Sequence, residues 1–175
     1  MHPVSVTDSD LKRATQRRLD AAAGYLALGM IQEANDEIEA IPTPAKISKD
    51  VMGARVEIYS AAREWEHMRE VAAFLVREWP EDAQHWISLA NATRRCRSIT
   101  EAVAHLVNAM ALHPDEPIIP FNLACYAAQA GRIEDAKLCL VRAIALSPDI
   151  RQRALDDPDL EPLWAGVGKH PQKHD

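Results

Sequence analysis

Aromatic residues are scarce in this chain: Phe, Tyr and Trp make up 5% of its 175 residues. Strand-rich cores lean on aromatic and β-branched side chains, so that scarcity argues against a β fold. Hydrophobic residues still reach 47%, so a core must be assembled mainly from Ala, Leu, Ile and Val, as in closely packed helices. No apolar run approaches the ~18 residues that a membrane helix needs. The opening stretch MHPVSVTDSDLKR lacks the apolar segment of a secretory signal. Cys96, Cys125 and Cys139 are odd in number and show no Cys-x-x-Cys spacing, which predicts reduced thiols and a cytoplasmic protein without a membrane partner. A basic excess is missing as well: 20 Lys and Arg stand against 26 Asp and Glu, a formal net charge of −6. No nucleic-acid partner is therefore expected, and the dense basic stretches at Lys12–Arg18 and Thr93–Arg97 read as solvated helix faces.

The signatures of chemistry are missing too. There is no Gly-x-Gly-x-x-Gly, Gly-x-x-x-x-Gly-Lys-Ser/Thr, His-Glu-x-x-His or Gly-x-Ser-x-Gly. His67, His85, His105 and His113 are scattered without ligand spacing, which predicts no metal site. Asp156, Asp157, Asp159 and Glu161 cluster around Pro158, and helix-end and turn chemistry accounts for them. Cys125 has no base placeable beside it, so it reads as a packed thiol. The expectation is a chain with no catalytic residues, no cofactor and no metal.

What the chain does have is a phrase written twice. NAMALHPDE, from Asn108, and RAIALSPDI, from Arg142, place Pro114 and Pro148 one period apart (148 − 114 = 34), and Pro80 lies one period earlier. Units starting at Thr15, Lys49, Ala83 and Pro117 stay in phase with no insertion. The eighth column is Ala22, Val56, Ala90 and Ala124; the twentieth is Ala34, Met68, Ala102 and Ala136. The twenty-fourth is Ile38, Ala72, Leu106 and Leu140, and the twenty-seventh Ile41, Leu75, Ala109 and Ala143. The seventeenth is Ile31, Trp65, Ile99 and Ile133. Every entry is apolar, and most are small where two helices would cross closely.

Each unit also carries its own hairpin. Phe121, Leu123, Ala124 and Ala127 lie on helical spacing, Gly131 breaks the pattern, and Ile133, Ala136, Leu140 and Ala143 resume it. Gly29 plays the same part in the first unit, where a residue at positive φ ends a helix cheaply. Ser98 and Glu101 form a capping-box pattern for a second helix. Pro80, Pro114 and Pro148 stop the second helices, because proline cannot continue the hydrogen-bond ladder.

Trp86, Leu89, Ala90, Ala102, Ala109 and Pro114 give the pattern Trp-x-x-Leu-Ala…Ala…Ala…Pro. This resembles the tetratricopeptide repeat, a helix-turn-helix unit of about 34 residues. The stretch FNLACYAAQAGRIEDAKLCLVRAIALSPD fits that motif closely, and the resemblance covers roughly residues 15–150. The second unit departs from it, with Arg55 where Leu is usual and Met68 where Ala is usual. The first unit has Pro42 and Pro44 early and Lys46 in the proline column.

The resemblance implies an all-α fold: a right-handed superhelical stack of helix-turn-helix repeats with a C-terminal capping helix. Residues 1–14 form an N-terminal arm and the start of the first helix. Four repeats follow at 15–48, 49–82, 83–116 and 117–150, then a cap at 151–164 and a mobile tail at 165–175. The cap should close the apolar end of the stack, with Leu160 and Trp164 folded back on the last pair.

The function that the resemblance implies is a non-catalytic scaffold or adaptor binding a peptide segment or helix of a partner in its concave groove. The alternative is a small dedicated chaperone for one client, like those of secretion systems. The groove columns nominate Ile87, Asn91, Arg94, Arg95, Phe121, Asn122 and Cys125. Ile87 and Phe121 would be apolar anchors, and an Asn amide can both donate to and accept from a peptide unit. Arg94 and Arg95 favour an acidic or carboxylate-bearing protein partner. The clamp by which related repeats grip chaperone tails uses Lys, Asn, Asn, Lys and Arg. Here it finds Asn91 and Asn122 but Ile87, Gln152 and Asp156 elsewhere, so a chaperone-tail binder is not expected. A monomer or weak homodimer is expected.

Overall fold

The computed structural model describes residues 7–165; the sequence expectation of a mobile tail falls almost wholly outside them. Among the described residues there are ten α-helices, two short 3-10 turns and no strand. They divide into two compact units, one ending at Cys96 and the other beginning at Arg97, a division that falls inside the 83–116 repeat. The first unit holds α1 (Asp8–Ala27), α2 (Ile31–Glu39), α3 (Lys49–Ala62), α4 (Trp65–Glu78) and α5 (Ala83–Cys96). The second holds α6 (Ile99–Leu112), α7 (Ile118–Gln129), α8 (Ile133–Leu146), α9 (Ile150–Asp156) and α10 (Glu161–Trp164).

The period is written into the helix ends. The even-numbered helices α2, α4, α6 and α8 start at Ile31, Trp65, Ile99 and Ile133, each one full period after the last. Three of them end on the same bond: Trp79 N–H donates to Leu75 O, His113 N–H to Ala109 O and Ser147 N–H to Ala143 O, at 2.8–2.9 Å. The prolines that follow at 80, 114 and 148 forbid another turn. In the first repeat the early Pro42 and Pro44 cut α2 to nine residues, and a 3-10 turn at Thr43–Ala45 takes its place.

The turns inside the hairpins show what each sequence supplies. At Gly29 and Gly131 the backbone sits at φ 73°, and Met30 and Arg132 N–H reach back to Tyr25 O and Ala127 O. Arg63 occupies the equivalent place at φ 59°, with Glu64 N–H bonded to Tyr59 O. A non-glycine residue there costs on the order of 1 kcal/mol. Arg63→Gly is therefore expected to raise stability by up to about 1 kcal/mol, and Gly131→Ala to lower it by a similar amount; thermal melts of both variants check this. At the start of α6 a cap is used instead: Ser98 Oγ accepts from Glu101 N–H at 3.1 Å and donates to the Glu101 carboxylate.

All sixteen residues of the eighth, twentieth, twenty-fourth and twenty-seventh columns are buried, none more than 6% exposed. In the first unit Ala22, Ala34, Ile38, Ile41, Val51 and Ile58 form one cluster, and Val56, Met68, Ala72, Leu75, Leu89 and Ala92 another. Arg55, out of pattern for the repeat, has a structural partner. Its guanidinium crosses from α3 to Glu39 at 2.7 Å, and Lys46 bonds the other oxygen at 2.9 Å. The hydrogen bond from Lys46, then that from Arg55, holds the Glu39 carboxyl below its usual pKa.

Candidate partner-binding surfaces

The face of α5 is positioned by polar bonds at its start. Asp82 accepts from Lys49 of α3 at 2.8 Å and from Gln84 N–H at 3.0 Å, and the Lys49 bond holds its carboxyl below the usual range. Trp86 Nε1 donates to Pro80 O at 3.0 Å, and a His85 ring nitrogen lies 3.1 Å from Trp79 O. Trp65 and Trp86 read from sequence as core rather than as ligand platforms; both are half-buried, Trp65 against the second cluster of the first unit. Trp86 braces the turn before α5, and Trp65 carries a cation.

On this framework Asn91 and Arg95 are exposed, Arg94 is half-buried and Ile87 is buried. The Arg95 guanidinium lies 5.1 Å above the Trp65 ring of α4, a cation–π contact that orders a long side chain without neutralising it. The same columns continue through the first unit. In the ninth column Ala23, Glu57 and Asn91 are all exposed; in the thirteenth, so are Ala27, Ala61 and Arg95. Three odd-numbered helices thus offer three exposed alanines and the acid Glu57, followed on α5 by an amide and the Arg95 cation.

The second unit treats its first-helix face differently. Every α7 residue from Ile119 to Ala128 is buried, because α6, α8, α10 and the 3-10 turn Pro158–Leu160 all pack on α7. Phe121 is 1% exposed and lies under the Arg153 guanidinium of α9, 4.7 Å from the ring centroid. Cys125 Sγ donates towards Asp157 Oδ2 at 3.9 Å, and Asp157 also accepts from Asp159 N–H at 2.9 Å. Asn122 is buried as well. The repeat columns present Phe121, Asn122 and Cys125 as groove-facing and give no sign of Arg153 over Phe121 or of Asp157 beside Cys125. The only available signal is the unusual density of charge in RQRALDDPD, on a segment that otherwise has to bury Ile150, Ala154 and Leu160.

None of the three cysteines forms a disulfide. Among the described residues no group of His, Cys, Asp or Glu is arranged to hold a metal ion, and no helix is long and apolar enough to cross a membrane.

A constant helical period, small residues buried in phase and a terminal cap on the last pair define the tetratricopeptide-repeat type of fold. Solved structures share this type of fold. The chain is similar to the crystal structure of a thermophilic TPR protein of Thermus thermophilus, with 18% identity and a TM-score of 0.69 over 88% of this chain and 83% of that one. It is also similar to the structure of MamA AMB-1, with 15% identity and a TM-score of 0.64 over 94% of this chain and 86% of that one. At such identities the likeness is one of fold. No protein-family model matches the chain, and no curated protein sequence does.

Proposed function

We propose that the chain is a non-catalytic interaction module that binds a peptide segment or helix of a protein partner along its first-helix faces. The observation that carries this reading is the exposed row on α1, α3 and α5, repeated once per unit and ending at Asn91 and Arg95. The alanines at 23, 27 and 61 let a partner's backbone approach closely, while the Asn91 amide and the Arg95 cation fix its register and charge. Ile87 underlies this row, and Asn91, Arg94 and Arg95 are its polar contacts, suited to an acidic segment. On the second unit, taken by itself, Phe121 and Cys125 are the partner residues that become available when Arg153 and Asp157 leave them, with the buried Asn122 between them in sequence. A dedicated chaperone would use the same faces; it differs in holding one unstable client, which should co-purify with the chain as its main companion.

A partner captured by the full chain from its source cell and identified by mass spectrometry supplies the titrant. Asn91→Ala and Arg94→Glu should each weaken binding about tenfold, roughly 1.4 kcal/mol, with helical content unchanged. The Arg94→Glu effect should shrink as salt rises, because salt screens a charge that is still partly open to solvent. Unchanged affinity in both variants, measured by isothermal titration, would remove the first-helix face of α5 from the account.

A further inference from the structure

The even-numbered helices repeat a second set of columns, and here the two halves of the sequence part company. The eighteenth, twenty-second, twenty-fifth and twenty-ninth positions lie at helical spacing along one side of each helix. On α2, with the residue that follows it in column, they read Gln32, Asp36, Glu39 and Thr43; on α4, Glu66, Glu70, Ala73 and Arg77. On α6 they read Thr100, Ala104, Val107 and Ala111, and on α8, Glu134, Leu138, Val141 and Ala145, all exposed. The acidic stripe of the first two repeats has become an aliphatic stripe in the last two. Leu138 and Val141 are 71% and 67% exposed, and Val107 and Leu112 about half, with Leu146 beside them.

The two stripes belong to one surface of the second unit. Helices α6 and α8 both pack on α7, and Arg142 Nη2 of α8 donates to Pro114 O, just beyond the end of α6, at 3.3 Å. The sole acid in the α6 and α8 columns, Glu134, is neutralised by Lys137 at 2.8 Å. A chain of net charge −6 repels its own copies wherever its acids are exposed; on this surface that repulsion is missing.

We infer that the aliphatic face of α6 and α8 is a self-association surface, on which a second copy of this chain seats the same face. A two-fold arrangement needs a patch that is complementary to itself, and an apolar surface whose one acid is paired meets that condition where an acidic one does not. The five exposed Val and Leu side chains would withdraw on the order of 500 Å² of apolar surface per copy, most of the apolar core of an interface that buries about 800 Å² on each side. Their exposure sits at the upper end of what one soluble copy presents as a single patch. The inference stands apart from the partner-binding reading, which concerns the opposite helices.

The test is the mass of the full chain in solution. Multi-angle light scattering at about 100 µM should give a dimer, for a dissociation constant of about 10 µM. The double variant Leu138→Glu, Val141→Glu, whose positions are solvent-exposed, should run as a monomer with unchanged circular dichroism, a weakening of at least about 100-fold. Val107→Lys, on α6, should weaken the dimer independently, and Glu70→Ala, on the acidic stripe of α4, should leave it intact. A parent chain that is monomeric at about 100 µM overturns the inference, as does a dimer that survives both the double variant and Val107→Lys.

Discussion

Truncation after Pro148 should destabilise the second unit by roughly 5 kcal/mol and make the chain aggregate. The segment removed carries Ile150, Ala154, Leu160 and Leu163, each 5% exposed or less. Burial of large aliphatic side chains of this kind is worth about 1.5–3 kcal/mol apiece. The removal also strips Arg153 from Phe121 and Asp157 from Cys125, so the apolar wall of α7 would face water. Domain-scale stability seldom exceeds about 5–15 kcal/mol, so a loss of this size leaves little margin. Thermal melts and light scattering of the truncated and full chains check it; equal melting temperatures would mean that the segment after Pro148 does not hold the fold.

Ala136→Trp should be nearly as damaging. Ala136 is fully buried on α8, and Ala124, the eighth-column residue of the same repeat on α7, is fully buried as well. Helices α7 and α8 pack as a pair, and a close crossing of this kind accepts a methyl group and little more. An indole placed there must push the helices apart, at a cost of about 3 kcal/mol or more. Chemical denaturation should show a lowered midpoint with an unchanged slope. Lys137→Trp, one residue along on the exposed side, should melt like the parent. Similar behaviour of the two variants would put the register of the columns in error.

Those columns explain why so much of the fold was legible in the sequence. A repeat forces each helix crossing to be written several times, so Ala22, Ala34, Ala102 and Ala136 reinforce one another where a single alanine would say nothing. Helix ends were legible for a similar reason: Gly29, Gly131, Ser98 and the three prolines each act on the backbone locally. Interactions between elements left no such trace. Arg55 looks like a fault in the second repeat until Glu39, on another helix, supplies its partner. Arg63 shows the limit of the local rule, because it takes a left-handed turn without being glycine.

The surfaces were legible only in part. Column arithmetic says which residues share a side of a helix, and Asn91 and Arg95 are indeed exposed. It does not say what lies over that side. On α7 the same columns are covered by α9 and the turn after it, through contacts that depend on how a charged, proline-broken segment folds back. Conversely, the apolar stripe of α6 and α8 passes as ordinary helix interior in the sequence, since a Leu or Val at helical spacing reads as core. Its exposure is a property of the packing.

The measurement that bears most directly on the partner-binding account is hydrogen exchange by mass spectrometry on the full chain, alone and with its captured partner. Amides covered by a bound segment exchange more slowly, and exchange reports the covered elements one by one. The account predicts added protection on α1, α3 and α5, centred on the stretches around Ala23, Glu57 and Asn91, with the outer stripes of α2 and α4 unchanged. Protection confined to α2, α4, α6 and α8, with α1, α3 and α5 unaltered, would contradict it.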